Sequence, residues 1–329
     1  MSFHPTRRSF LATGAASVAL GLAAPAIAQT KPTIRFSAVF SEQDIRAEMM
    51  KRFTAAVDAD YTMQLYYGGN LFKQGTELVA LQRGNLEMGN IAPQDVSNQI
   101  PAWSIMTAAY LFRDAAHLQK VFASDVGQQM KNMAEEQLGI RILAPTYFGA
   151  RHVGLRGRKK INTPDDLAGV KLRMPGGDAW QFLGQSIGAN PVPMAYAEVY
   201  TGLQTGAIDG QDNPLPNVQN MKFYEVSNQI VLTSHLVGFD LLTVSARTWR
   251  AMSEAKRAQF QAAADAAVGW SNAEHAKKEG ELVAFFKAQG LDVYEPNLPA
   301  FRDFAQKKYL ASDLAKAWPA GMVDKINAL

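Results

Sequence analysis

The first part of the chain alternates between strand-like and helix-like spacing of apolar residues. In residues 33–40, TIRFSAVF, every second residue is apolar, and residues 61–67, YTMQLYY, repeat this strand pattern. Between them, residues 41–57 carry apolar side chains at helical spacing. Residues 74–84 have a helical pattern again, and residues 86–93 supply a third strand. This order predicts an α/β lobe built from βαβ units, with ligands bound beyond the carboxyl ends of the strands.

A similar order of patterns begins after residue 160. The run 163–166, Thr-Pro-Asp-Asp, has an N-cap residue followed by proline, and it predicts a helix start. Residues 170–175, VKLRMP, predict the next strand. The following segments are predicted as a helix, an extended segment, a helix and a turn at a strand end: residues 178–188, 189–194, 196–208 and 209–214. The repetition predicts a second α/β lobe.

A β-prone run and one long helical segment complete the pattern. Residues 235–246, HLVGFDLLTVSA, predict a strand that returns the chain to the first lobe. From Ser253 to about Gly290 the chain is rich in Ala, Lys and Glu and contains no proline. At about 1.5 Å per residue this helix would extend about 55 Å and reach across both lobes. Two helices broken near Gly269 or Ser271 are the alternative.

These patterns predict an α/β protein of two lobes with a long helix spanning both. Lobe I is assigned to residues 29–150 plus about 240–280, and lobe II to residues 151–239 plus about 281–329. A chain of this length buries a large core without disulfides, and cores of this size usually divide in two. Two lobes imply a cleft between them.

The first 28 residues carry an export pattern. Arg7 and Arg8 stand in TRRSFL, and an apolar stretch ends in the small residues 26–28, as is typical of a twin-arginine signal with its cleavage site. The apolar segment 10–22 is interrupted by glycines and is shorter than the roughly 20 residues that a membrane span requires. We expect residues 1–28 to be removed and the mature protein to be periplasmic.

Charge and residue types exclude several classes of function. The formal charge is +3, of which the two arginines of the export signal supply two, so the mature chain is near neutral and shows no nucleic-acid footprint. The chain contains no cysteine, and its five histidines are dispersed without a zinc-binding spacing. Neither a nucleophile elbow nor a nucleotide-binding glycine motif occurs. The sequence therefore predicts a binding protein with no metal and no cofactor, rather than an enzyme.

Arg173 is the strongest single candidate for ligand binding. In VKLRMP, Val170, Leu172 and Met174 point to one face of the strand, and Arg173 points to the other, just before Pro175. A guanidinium is a flat fork of donors that fits a carboxylate with two hydrogen bonds. An arginine at a strand end beside a cleft therefore suits an organic acid. A surface arginine paired with an acid of the protein is the alternative.

Two stretches carry a resemblance to a known family. LAGVKLRMP (167–175) and GANPVPMAYAEVYTGLQTGAIDGQDNPL (188–215) resemble the signature of the DctP-type solute-binding proteins of tripartite ATP-independent periplasmic (TRAP) transporters. The resemblance runs through the whole mature chain. It implies a two-lobe, type II-like periplasmic binding protein that captures a small organic acid, such as a sugar acid or another carboxylate. It further implies that the protein delivers this acid to a TRAP permease, with a small and a large membrane subunit, for uptake driven by an ion gradient. We expect the protein to be a monomer, although the sequence does not itself determine the oligomeric state.

The resemblance also implies roles for individual residues. The arginine that forms the salt bridge to the ligand carboxylate corresponds to Arg173. A second family arginine corresponds best to Arg151, with Arg156 and Arg158 as competitors in a solvated loop, and the family asparagine corresponds to Asn213. Two guanidiniums and an amide would surround a carboxylate with charge-assisted hydrogen bonds.

The remaining walls of the site are predicted from residue type. Apolar or stacking surface is expected from three aromatic residues: Phe148, Trp180 and Phe239. Hydroxyl or amine partners are expected from four polar residues: Glu42, Gln94, Asp178 and Asp240. One subgroup of the family holds a metal and a 2-oxo acid through a Glu-Trp pair where this chain has Asp212-Asn213, which argues against metal-assisted binding.

Three ligand classes and two other functions stay open at this point. Sugar acids, C4-dicarboxylates and sulfonates all fit an arginine pair, and the four polar candidates favour a hydroxylated acid. A periplasmic α/β enzyme acting on a small carboxylate is one alternative function, because the twin-arginine route often exports folded, cofactor-loaded proteins. A ligand-sensing subunit is the other.

Overall fold

The computed structural model describes residues 31–329. The predicted export signal and residues 29 and 30 of predicted lobe I lie outside the described residues. Within the described part the strands are Thr33–Ser37 (β1), Thr62–Tyr66 (β2), Met88–Ile91 (β3), Ile140–Leu155 (β4), Lys171–Met174 (β5), Asn190–Pro193 (β6), Gly210–Pro214 (β7), Gln229–Ser245 (β8) and Asp292–Tyr294 (β9).

Helices pack against these strands. The α-helices are Ile45–Val57 (α1), Glu77–Gln82 (α2), Pro93–Gln99 (α3), Ala115–Ala123 (α4), Asp125–Leu138 (α5), Asp178–Ser186 (α6), Val199–Thr205 (α7), Leu215–Asn220 (α8), Ala246–Ala251 (α9), Glu254–Ala288 (α10), Leu298–Leu310 (α11), Asp313–Lys316 (α12) and Met322–Asn327 (α13). Short 3-10 helices occupy Pro101–Thr107, Pro164–Leu167, Tyr196–Glu198 and Phe223–Val226.

The strands form one continuous mixed sheet in the order β2-β1-β3-β8-β4-β7-β5-β6, with β9 added to β8. Strands β1, β2 and β3 pair in parallel and form the sheet of the first lobe. Strands β5, β6 and β7 pair in parallel and form that of the second lobe. The long strands β4 and β8 pair antiparallel between them, so they run from one lobe into the other. The predicted two-lobe α/β fold is confirmed.

The long helix α10 packs into both lobes. It begins at the N-cap Ser253, whose side chain accepts a hydrogen bond from the backbone of Lys256, and continues for 35 residues. At about 1.5 Å per residue its length is about 52 Å. Phe260 belongs to the apolar core beneath β1 and α1, whereas Phe286 belongs to the core around α7 and α8. The prediction of one helix across both lobes is confirmed, and the alternative of a break near Gly269 is wrong.

Some local predictions differ from the structure. Residues 209–214 were predicted as a turn, but Gly210–Pro214 is the buried strand β7, which pairs with both β4 and β5. The helix start predicted at residues 163–166 yields only the 3-10 helix Pro164–Leu167, although its capping box is present. The C-terminal helices contact both lobes, because α11 packs on α6 and β8 and α13 packs on α5. The predicted lobe boundaries therefore stay a prediction.

Gly149 lies in the middle of β4, where the strand register with β8 shifts. Its φ of 116° is one that residues with a side chain rarely adopt, and an added Cβ would lie 2.8 Å from Cβ of Pro214 on the neighbouring strand. Gly149→Ala is therefore expected to lower the free energy of unfolding by about 1–3 kcal/mol, measured by urea denaturation. Gly139→Ala is the matched control, because Gly139 also has a positive φ but open space around it. Equal losses in the two variants would contradict the crowding at Gly149.

Candidate functional site

A narrow cavity of about 50 Å³ lies between the lobes, where the parallel strands end. Residues just beyond β1, β3 and β5 line it, as the α/β pattern predicts. The second lobe lines the cavity with polar and aromatic side chains: Arg151, Arg173, Trp180, Tyr196, Asn213 and Asn217. The first lobe contributes Arg46, Glu77, Asn90, Asp95 and Asp240.

Arg173 is buried in the second-lobe wall without an acidic partner. Only 1% of the residue is exposed. Its Nε donates to the carbonyl oxygen of Met194 at 2.9 Å, and its Nη2 donates to Oε1 of Gln74 at 3.0 Å. Both acceptors are neutral, and no carboxylate of the described chain forms an ion pair with this guanidinium. Burial, reinforced by the positive charge of Arg151, lowers the pKa of Arg173 to about 9.

Arg151 is held by a carboxylate behind it. Its Nε donates to Oδ1 of Asp212 at 2.8 Å, and its Nη2 donates to the carbonyl oxygen of the same residue at 2.6 Å. Burial alone would raise the pKa of Asp212, but Arg151 and His235 outweigh it and hold that pKa below its usual value. The Arg151 guanidinium also lies 4.8 Å from the ring centre of Trp180. Arg151 and Arg173 thus face one buried carboxylate between them, which leaves one positive charge in excess.

Amide and phenol groups complete the second-lobe wall. Asn213 on β7 donates from Nδ2 to Oε1 of Gln211 at 2.6 Å. Asn217 on α8 donates from Nδ2 to the Tyr196 hydroxyl at 3.0 Å, while its own Oδ1 is buried without a partner in the described chain. The side chain of Gln74 accepts from the backbone of Tyr196 and so links the two lobes beside Arg173.

Arg46 dominates the first-lobe wall, but its charge is neutralised. It donates to both carboxylate oxygens of Asp44, at 2.9 and 2.8 Å, and to Oδ2 of Asp240 at 2.6 Å. Its guanidinium carbon lies 4.3 Å and 4.1 Å from the ring centres of Phe40 and Phe148. Burial alone would lower the pKa of Arg46, but the two aspartates outweigh burial and raise it above its usual value. Arg46 is therefore a fixed part of the wall rather than a free cation.

Three carboxyl groups of the first lobe face the cavity in an environment that favours their neutral form. Burial raises the pKa of Glu77 to about 8 and that of Asp95 to about 7. Burial also raises the pKa of Asp240 to about 6, although Arg46 opposes the shift. Asn90 fixes the Asp240 carboxylate through a hydrogen bond of 3.1 Å to Oδ2.

The structure brings six of the ten predicted site residues into the cavity: Arg173, Arg151, Asn213, Trp180, Phe148 and Asp240. The other four lie outside it. Glu42 pairs with Lys51 on the surface, and Asp178 is exposed in the first turn of α6. Phe239 packs against Phe112 and Phe122 in the core, and Gln94 is buried in α3 without lining the cavity.

Seven residues that line the cavity are not predicted from the sequence: Arg46, Gln74, Glu77, Asn90, Asp95, Tyr196 and Asn217. Most of them lie in or next to helices, where a polar residue is usually predicted to face solvent. No pattern in the sequence marks them.

Metal and membrane features are absent from the described chain. Within residues 31–329 no three His, Cys, Asp or Glu residues are placed to hold a metal ion. Across the same residues no helix combines the length and the apolar character that a bilayer crossing requires.

Most of the described chain matches the model of a known protein family. Residues 36–313 match the model for the bacterial extracellular solute-binding proteins, family 7, which is the DctP family. The chain belongs to this family. Its members are solute-binding proteins of TRAP transporters and not enzymes, so the alternative of a periplasmic enzyme is wrong. The resemblance predicted from the two signature stretches is confirmed.

Named relatives and solved structures are similar to this chain over most of its length. The sialic acid-binding periplasmic protein SiaP of Vibrio cholerae is 32% identical over 268 residues, which cover 81% of this chain and 82% of SiaP. A TRAP periplasmic solute binding protein from Roseobacter denitrificans, with bound 3-deoxy-D-manno-oct-2-ulosonic acid, is 45% identical, with a TM-score of 0.89 over 91% of this chain and 99% of that chain. Another from the same organism, with bound β-D-glucuronate, is 27% identical, with a TM-score of 0.83 over 90% and 99% of the two chains.

Proposed function

We propose that this chain captures a sugar acid in the cavity between its lobes, with the ligand carboxylate bound by Arg173, Arg151 and Asn213. These three residues are called the carboxylate clamp below. The observation that carries the proposal is the buried guanidinium of Arg173, whose hydrogen-bond partners in the described chain are neutral. A buried charge is costly unless it is paired, and a ligand carboxylate would supply the missing partner.

The relatives support the class of ligand. SiaP is a sialic acid-binding protein, and the two Roseobacter denitrificans structures hold 3-deoxy-D-manno-oct-2-ulosonic acid and glucuronate. All three ligands carry one carboxylate and several hydroxyl groups. The cavity of this chain offers groups that complement such a ligand, with arginines for the carboxylate and polar acceptors for the hydroxyl groups.

Delivery to the membrane follows from the family. TRAP solute-binding proteins work with TRAP membrane components. For this chain the proposal names a permease of a small and a large subunit as the partner and a monomer as the form that binds. It also includes export to the periplasm by the twin-arginine route, on the basis of residues 1–28.

A ligand screen by thermal melting tests the proposal. Sugar acids are expected to raise the melting temperature of the mature protein, because a ligand at 100 times its Kd stabilises the folded state by about 2.7 kcal/mol. The matching neutral sugars lack the carboxylate and are expected to leave the melting temperature unchanged. A shift produced by neutral sugars but not by their acids would contradict the proposal.

A further inference from the structure

The first-lobe wall carries carboxyl groups that the carboxylate clamp does not use. Glu77, Asp95 and Asp240, called the acidic wall below, line the same cavity. The charges of Asp95 and Asp240 both act on Glu77, and the charge of Asp240 acts on Asp95. In the described chain the neighbouring charge that shifts the pKa of Asp95 is a carboxylate rather than an arginine. The three carboxyl groups therefore form one interacting cluster, in which Asp240 alone has arginines among the charges that shift its pKa, namely Arg46 and Arg151.

Two buried acceptors at this cavity have no partner in the described chain. Glu77 is only 2% exposed. The backbone of Gly75 and of Glu77 itself opposes the rise in the pKa of this carboxyl group, but its Oε1 has no hydrogen-bond partner in the described chain. Across the cavity, Oδ1 of Asn217 is also without a partner, while its Nδ2 is engaged with Tyr196. A buried acceptor left without a donor costs free energy, so a ligand that brings donors to these two atoms is favoured.

The raised pKa values indicate which donor fits. Burial, followed by the charges of neighbouring acids, raises the pKa of Glu77 to about 8 and that of Asp95 to about 7. Near neutral pH both groups are partly protonated, so they can donate as well as accept hydrogen bonds. A hydroxyl group also donates and accepts, whereas an ammonium group only donates. The wall therefore suits hydroxyl groups.

We infer that the acidic wall, together with Asn217, is a second subsite that binds the hydroxyl groups at the far end of a sugar acid and excludes a second carboxylate. The inference rests on the proposed function, since it requires the first carboxylate in the clamp. It restricts the ligand to hydroxylated monocarboxylates and removes dicarboxylates from the classes that the sequence leaves open.

The charges around the acidic wall explain the exclusion. Arg46 on α1 is neutralised by Asp44 and Asp240, and Arg151 on β4 is neutralised by Asp212. No cation therefore remains to meet a second carboxylate at this end. Such a carboxylate is tolerated only while Glu77 and Asp95 are protonated. The exclusion must then strengthen as the pH rises through their pKa values, about 8 and about 7.

A matched pair of ligands tests the inference. D-Galactonate and galactarate have the same carbon chain and differ at one end, where the first has a hydroxyl group and the second a carboxylate. By titration calorimetry at pH 8.5, the wild type is expected to bind galactonate at least about 100-fold more tightly, with a smaller ratio at pH 6. Glu77→Gln, alone and with Asp95→Asn, is expected to reduce the ratio at pH 8.5 about tenfold and to flatten its pH dependence.

A surface variant distinguishes an effect of the subsite from an effect of the protein's net charge. Glu48→Gln removes an exposed acid that pairs with Arg52 on α1, and it is expected to leave the ratio unchanged. Equal wild-type affinity for the two acids at pH 8.5, or an unchanged ratio in folded acidic-wall variants, would overturn the inference and leave the clamp intact. Failure of the wild type to bind any sugar acid would overturn the proposed function as well. If the variants do not fold, the wild-type ratio and its pH dependence decide alone.

Discussion

Replacement of Arg173 by glutamine is expected to weaken sugar-acid binding at least about 100-fold without destabilising the unliganded protein. The two effects separate because Arg173 has no acidic partner in the described chain. Its pKa is lowered to about 9, which means that folding disfavours the charged form of the side chain. Glutamine removes this unpaired charge, so the free energy of unfolding should stay the same or rise. The same change removes the charged donors on which the ligand carboxylate depends.

Two measurements check this expectation. Titration calorimetry with 3-deoxy-D-manno-oct-2-ulosonic acid gives the affinity, and urea denaturation without ligand gives the free energy of unfolding. Arg250→Gln is the matched control, because Arg250 is an exposed arginine at the end of α9, away from the cavity, and neither quantity should change. A folded Arg173→Gln variant that binds as tightly as the wild type would refute the clamp.

Arg151→Gln is expected to reduce both affinity and stability. Asp212 is fully buried and accepts from Arg151 at 2.8 Å, so the variant leaves a carboxylate without its main partner. Breaking a buried pair in this way costs about 3–5 kcal/mol. His235 lies 3.3 Å from the same carboxylate oxygen, but it replaces the arginine only if it is protonated. Affinity for the sugar acid should fall at least about tenfold, because the clamp loses one guanidinium.

A double variant distinguishes the two effects of Arg151. In Arg151→Gln/Asp212→Asn the orphaned charge is absent, so most of the lost stability should return in urea denaturation. The affinity measured by calorimetry should stay low, because the guanidinium is still missing. A single variant as stable as the wild type would contradict the role of the Arg151–Asp212 pair.

The elements that the sequence predicts well are those with a clear apolar period. Helix α10 and strands β1 and β5 follow directly from spacing and end signals. Strand β7 does not, because GQDNP contains residues typical of turns. These polar residues tolerate a central strand because they pair with each other and with neighbours, as Asn213 does with Gln211 and Asp212 does with Arg151. Propensity cannot reveal partners that only the fold supplies.

The site shows the same limit. Arg173 could be predicted because a strand end and a family signature mark it, whereas Arg46 meets Asp240 across 194 positions of sequence. Phe239 and Asp240 are neighbours in β8, and only Asp240 lines the cavity. Neighbouring residues of a strand point to opposite faces, so with Asp240 at the cavity Phe239 must face the core. The prediction that both residues line the cavity is therefore wrong for Phe239, because side chains alternate along a single strand.

The shared sheet limits how the protein opens. Strands β4 and β8 run from one lobe into the other as regular strands, and α10 is one unbroken helix that packs against both lobes. Any separation of the lobes must therefore bend paired strands and the helix together. The pairing of β4 with β8 shifts register beside Ile142, Tyr147 and Arg151, and such irregularities bend a strand locally. We expect opening of this kind to be an elastic bending of the strands and the helix. The stiffness of these elements, and not the length of a flexible linker, would then limit how far the lobes separate.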